Sequence, residues 1–328
     1  MQKRTFLASA LCSAVLAPAA ALLARPARAQ AWPARPIRLI VPFAVGGSGD
    51  LVGRLVAEKL STALGQSVIV DNRGGNGSIL GTGLAARAAP DGYTLVLSNG
   101  AAITTGPLIG QQVPYQPLKD FTHIALLGTF TNALIVRADH PARDLAGFLA
   151  MARARPGKIS YGSAGVGSAG FLTGELLKQL AGIDMVHIPY KGTSPALTEL
   201  LGGQLDAMFN ALIAAAPFIK SGKVRALAIA SSARDPGFPE IPTMAETVPG
   251  AVGDAWFGLS GPAQIPAPVV ERLHAEVVRL MGSSEVKERL VALGLVPQPL
   301  GPQGFTSFLE AENRKWAPVI RAANIKPE

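Results

Sequence analysis

The sequence predicts an α/β protein of two lobes, each built on a mostly parallel sheet flanked by helices. Three observations predict it. Short runs rich in Val, Ile and Leu alternate with longer segments of helical period. The 328 residues are 48% hydrophobic and 16% charged, enough apolar chain for buried cores and for about two domains. Four Gly-rich segments each follow an apolar run and open a helical one, as turns do at the carboxyl ends of parallel strands.

The first 29 residues stand apart. Lys3-Arg4 lead an apolar stretch over 5–23, and Ala27-Arg28-Ala29 follow, which reads as an export signal cleaved after Ala29. The alternative is a membrane anchor, but the apolar run is marginal in length for a bilayer and Pro18 interrupts it. Cleavage leaves 299 residues and lowers the formal charge from +8 to +4, because Lys3, Arg4, Arg25 and Arg28 leave without an acid. Lys3 stands where a twin-arginine signal has its first arginine, so the export route stays open. Cys12 is the single cysteine and lies in the leader. The mature chain is therefore expected to carry no disulfide, no thiol nucleophile and no Cys-bound metal. Its basic residues form no long run, which argues against a nucleic-acid arm or a membrane patch. The expectation is a soluble periplasmic monomer.

In the first lobe the spacing predicts strands over 38–43, 67–70 and 93–97 and helices over 50–64 and 78–89. Apolar residues at 51, 52, 55, 56 and 60 make one face of the first helix, and Pro90-Asp91-Gly92 is a turn. The second lobe follows with strands over 134–136, 159–161, 185–188, 205–209 and 224–229. Its helices are expected over 144–155, 169–181, 194–201 and 213–221. Nearly continuous apolar strands imply sheets covered on both faces. Regularity lapses across 231–253, which holds four prolines. A strand over 256–260 and helices over 268–281, 285–293 and 303–323 complete the chain, with no further strand. Such a tail must pack on a body already built, and the economical path returns it to the first lobe. Lobe 1 is then 30–130 plus 254–328 and lobe 2 is 131–253. The chain crosses near 127–133 and 248–254, a double crossing that suits closure on a ligand.

The Gly-rich segments are Gly46-Gly47-Ser48-Gly49-Asp50, residues 72–77, residues 162–168 and Tyr190-Lys191-Gly192-Thr193. Glycine lets backbone approach a ligand, and the N–H groups of the following helix start favour an anion. Ser48, Ser163, Ser168 and Thr193 add neutral donors. Any single loop is explained as a glycine turn with a cap; four loops from both lobes point to a small carboxylate held by backbone and hydroxyl groups. Asp50 fits a capping role at a helix start. Arg73 can pair a ligand carboxylate or Asp71, and Lys191 a ligand or solvent. Trp256 and Phe257 can wall a pocket or pack in a core. Catalysis has no constellation: no Gly-x-Ser-x-Gly, no phosphate loop, no His-Glu-x-x-His, and His123, His140, His187 and His274 lack metal-ligand spacing. No catalytic residue, metal or cofactor is expected.

These loops also carry a resemblance. IVPFAVGGSGD over 40–50, VDNR over 70–73, APDGYT over 89–94, residues 161–168, IPYKGTSP over 188–195, LGGQLD over 201–206 and AWFG over 255–258 are similar, in the same order, to the Bug family of tripartite tricarboxylate transporter substrate-binding proteins. The resemblance spans residues 35–326. It implies a Venus-flytrap periplasmic binding protein of type II-like architecture, without catalytic activity, that delivers a small organic acid or amide to membrane permease subunits. Carried over by motif, the ligand contacts are Phe43, Ala44, Gly47, Ser48 and Asp50, the turn at Gly75-Asn76, and from the second lobe Ser163, Ala164, Gly167, Ser168 and Tyr190-Lys191-Gly192. Gly49 replaces the family's Thr, Phe171 a frequent His and Asn210 a frequent acid. These changes leave the far end of the ligand open, with Phe171, Asn210, Trp256 and Phe257 as candidates to line it. A sensor that presents its closed form to a signalling protein, and an exported α/β hydrolase, are the alternatives.

Overall fold

The computed structural model describes residues 32–190 and 192–326. The leader, with Cys12 and the cleavage position, and Lys191 lie outside the described residues. The chain divides into residues 1–34 and residues 35–328, and every element named here lies in the latter.

The chain enters through β1 (Ile37–Val41), α1 (Ser48–Leu64), β2 (Val68–Asn72), α2 (Ile79–Ala86) and β3 (Thr94–Asn99). α1 stops at Gly65, whose φ of 67° lets its N–H reach Ser61 O, a left-handed cap that glycine adopts without Cβ strain. A π-helical turn at Ala101–Thr105 runs into a helical turn, α3 (Gly106–Leu108), and then β4 (Phe121–Phe130). The second set is β5 (Asn132–Arg137), α4 (Leu145–Ala154), β6 (Ser160–Ser163), α5 (Ala169–Ala181), β7 (Val186–Pro189), α6 (Thr193–Leu201), β8 (Ala207–Ala211), α7 (Leu212–Lys220) and β9 (Val224–Ile229). Asp144 caps α4 by accepting from Gly147 N at 2.7 Å, and Ser168 caps α5. The return is β10 (Ala255–Pro262), α8 (Ala267–Gly282), α9 (Ser284–Ala292), β11 (Leu295–Leu300) and α10 (Pro302–Ala322).

Two sheets result, in the orders β11-β4-β10-β3-β1-β2 and β7-β6-β8-β5-β9. Both are mixed. β10 lies antiparallel between β3 and β4, and β5 lies antiparallel between β8 and β9, so each sheet takes in the strand arriving from the other lobe against the common direction. Alternation of strand and helix explains only the parallel pairs, β1 with β2 and β3, and β6 with β7 and β8. Two strands depart from expectation. β4 is built on Ile124–Leu127, all fully buried, where the spacing left a connection. β11, where the tail should have held no strand, carries Pro297 and Pro299 at the open edge of the first sheet, where a missing N–H is tolerated.

Only Thr131 separates β4 from β5, and the return strand begins beside it, with Ala255 in register with Phe130. The two crossings are tied together: Asn132 Nδ2 donates to Gly253 O at 3.4 Å. α10 spans both cores. Phe305 and Leu309 pack with Ile40, Val96 and Trp256 of the first lobe, whereas Trp316, Val319 and Ile320 pack with Phe148, Leu172 and Leu177 of the second.

Candidate ligand-binding cleft

The first Gly-rich loop is shaped from behind by Asp50. Its buried carboxylate accepts from Gly46 N at 2.9 Å, Arg54 Nε at 3.0 Å and Asn72 Nδ2 at 2.9 Å. Burial alone raises its pKa; the hydrogen bonds from Arg54, Gly46 and Asn72 outweigh this and hold it below the usual carboxylate range. Asp50 is thus the third residue of α1 reaching back to the loop, a partner of the turn rather than its N-cap. The N-cap is Gly47, with no side-chain cap, so the first N–H groups of α1 are left to solvent or a ligand. Phe43 lies over Gly49: a Cβ there would stand 2.3 Å from the ring. The second loop packs on the first, with Gly74 against the Phe43–Ala44 backbone. It continues through Gly75, Asn76, Gly77 and Ser78, all at positive φ. Gly75 and Asn76 are exposed. Arg73 pairs with Asp71 at 2.9 Å and is half exposed.

In the second lobe Ser163 is fully buried and spent internally. Its Oγ lies 2.7 Å from His187 Nε2, and it receives Ser168 Oγ at 3.3 Å and Gly165 N at 3.2 Å. His187 sits between the rings of Tyr161 and Phe171, centroids 4.9 and 4.5 Å away. Burial, then the Lys178 charge, push its pKa down to about 4, so it is neutral at ordinary pH. Phe171 belongs to the lobe's core. Ala164 is exposed, whereas Gly167, at φ 79°, is buried. Tyr190 is half-buried, and its N–H donates to Ser163 O at 3.2 Å. Gly192 is the N-cap of α6, at φ 134° with open space around it.

The lobes meet on both flanks of these loops. On one, Thr105 Oγ1 donates to Gly167 O at 3.1 Å, and Ile109 lies against Gly167. On the other, Ile213 of α7 abuts Gly294. There the lobes close on a tight, mostly apolar seam lined by Ser48, Val52, Phe130, Phe257, Leu293 and Leu295 from the first lobe and Ile213 from the second. Phe257 meets Phe43 edge-on at 5.5 Å and stacks on Phe130 at 4.7 Å. Trp256, one residue earlier, faces the other side of the sheet and packs against Phe305 and Phe308. The structure therefore brings Phe43, Ser48 and Phe257 together and sends Trp256 to the core.

Asn210, at the end of β8, is buried, and its Nδ2 has no hydrogen-bond partner among the described residues. Asn99, at the end of β3, is in the same condition and was not singled out by sequence. Ser98-Asn99-Gly100 reads only as a turn signal, and nothing in it distinguishes a cap from a binding group. No group of three His, Cys, Asp or Glu suited to a metal occurs among the described residues.

Two α/β lobes joined by adjacent crossings, each carrying glycine-rich loops at its strand ends, have the architecture of two-lobed solute receptors. The chain belongs to the tripartite tricarboxylate transporter family receptors, whose family model matches residues 52–325. It is similar to protein BugT of Bordetella pertussis, at 36% identity over 94% of this chain and 95% of that one. Among solved structures, R. palustris Rpa4515 with adipate has a TM-score of 0.87 at 33% identity, covering 90% of this chain and 100% of that one. MatC of Rhodopseudomonas palustris with bound malate has a TM-score of 0.80 at 36% identity, covering 88% and 99%.

Proposed function

We propose that the chain is exported, loses its leader after Ala29, and works in the periplasm as a receptor that closes on a small carboxylate and hands it to the membrane subunits of a tripartite tricarboxylate-type transporter. The observation that carries this reading is the start of α1. Its first N–H groups have no side-chain cap and sit at the positive end of the helix dipole, where Ser48 reaches the seam between the lobes. Arg54 and Arg73 pair with Asp50 and Asp71, so backbone N–H and hydroxyl groups carry the grip, with Lys191 as an added basic candidate. Adipate and malate in two relatives support a dicarboxylate.

In this reading the lobes are 30–130 with 254–328, and 131–253. Ala44, Gly47, Ser48, Gly75 and Asn76 bind from the first lobe, and Ala164, Gly167, Ser168, Tyr190, Gly192 and Asn210 from the second. Phe43 and Phe257 form the apolar wall. Asp50, Ser163, Phe171 and Trp256 hold these groups from behind.

Thermal denaturation with adipate, malate and a panel of small organic acids tests the reading. A ligand at about 100 times Kd adds about 2.7 kcal/mol of stability, is recovered chemically unchanged, and lowers the radius of gyration in solution scattering. A panel that leaves stability untouched, or a ligand that is consumed, overturns it.

A further inference from the structure

We propose that Asn99 is a ligand-contacting residue of this cleft, its side-chain N–H group donating to a carboxylate oxygen of the bound solute; the inference rests on the receptor reading above. Asn99 closes β3, the strand between β1 and β10. Across the antiparallel pair its Cα partner is Phe257. On the other side β1 and β3 run in parallel register, with Ile40 opposite Val96, and β1 ends at Val41, just before the loop that carries Phe43. Partners across a ladder share a face. Asn99 therefore shares a face with Phe257, whose ring meets that of Phe43 at 5.5 Å and reaches, with Ser48, the seam between the lobes.

The amide has one settled orientation. Its Oδ1 accepts from Ala102 N at 3.3 Å, which only the oxygen can do, so Nδ2 is the end that points away from the following helical turn. That nitrogen is buried in a residue 4% exposed and has no partner among the described residues. A buried amide left unpaired is destabilising, so such a donor calls for an acceptor. Asn99 is thus a side-chain donor that the first lobe holds ready at the end of β3, opposite Phe257.

The two ends of this side chain can be tested apart. Asn99→Asp and Asn99→Ser both keep an oxygen to cap Ala102 N and both remove the N–H donor. Malate and adipate serve as probes, read by thermal shift and calorimetry on the purified protein. The expected result is unfolding temperature close to the parent's without probe for both variants. With probe, affinity falls about 10- to 150-fold for Asn99→Ser, the weight of one hydrogen bond to a charged group, and further for Asn99→Asp. The Asp variant recovers binding as its carboxyl is protonated at lower pH, an effect no capping role produces. Parent-like affinity in both variants overturns the role of Asn99 and leaves the receptor reading standing. Failure of both probes to bind the parent protein overturns the dicarboxylate reading itself, and with it this inference. If either variant fails to fold, a crystal of the parent protein with malate decides: malate oxygen within hydrogen-bond distance of Nδ2 supports the role, and a bound malate out of its reach overturns it.

Discussion

At Gly49 a single hydrogen atom decides the shape of the first loop. The ring of Phe43 occupies the volume that a side chain at 49 would take, since an added Cβ would stand 2.3 Å from it. A side chain at 49 would require the ring to move. Gly49→Thr is therefore expected to destabilise the protein by about 1–3 kcal/mol through overpacking. Pairing it with Phe43→Ala is expected to return much of that loss, because the two residues compete for one space. A double-mutant cycle by urea denaturation measures the coupling; simple additivity would show that the ring and the glycine are independent. Gly49 was legible in the sequence and its contact with Phe43 was not, because the two are six residues apart in a loop whose path no periodicity reports. The same holds for Ser163. Its place in a Gly-rich loop marked it as a donor to a ligand, but its bond to His187 depends on β6 and β7 lying side by side.

Elements were more legible than residues wherever one face decides. α5 at Ala169–Ala181 and β9 at Val224–Ile229 match the periodic reading to the residue, because helical spacing and a continuous apolar run are local signals. β4 and β11 escaped it. Thr122, His123, Gly128 and Thr129 break the apolar run of β4, and His123 is buried only because Ser260 and Pro117 O satisfy both ring nitrogens at 3.0 Å. α10 was legible as a helix but not as a bridge. Its first half belongs to one core and its second to the other, which its own pattern does not reveal. Trp316, buried in the second lobe and bonded through Nε1 to Glu312 at 3.0 Å, makes the test. Trp316→Ala is expected to lose about 3–5 kcal/mol. Hydrogen exchange is expected to quicken in α4 and α5 more than in β1–β3. Loss of protection centred on the first lobe would contradict the bridging role.

Over the whole molecule, buried and half-buried titratable groups at three places set opposing responses to pH. Burial lowers His123 in the first lobe to about 4, against the Pro117 hydrogen bond that raises it, and burial with the Lys178 charge does the same to His187 in the second. Both imidazoles bind a proton more readily in the unfolded chain, so stability is present above pH ~6.5 and is lost as pH falls towards about 4. Each histidine accounts for about 2–3 kcal/mol. Asp254, beside the crossings, runs the other way. Burial first, then Glu312, raise it to about 6, with Lys315 and Thr131 pulling down. The folded state binds its proton more tightly than the unfolded chain, so this carboxyl takes stability away as pH rises from about 4 through 6. Two histidines outweigh one aspartate, and the parent protein is expected to weaken on acidification, with Asp254 blunting the fall. Asp254→Asn removes the blunting group. Denaturation at pH 7, 5 and 4 is expected to show a variant about 2 kcal/mol more stable than its parent at pH 7, level with it at pH 4, and steeper between. A variant weaker at pH 7 would mean that the Asp254 carboxylate, through Thr131 and Lys315, holds the crossings together more than its burial strains them.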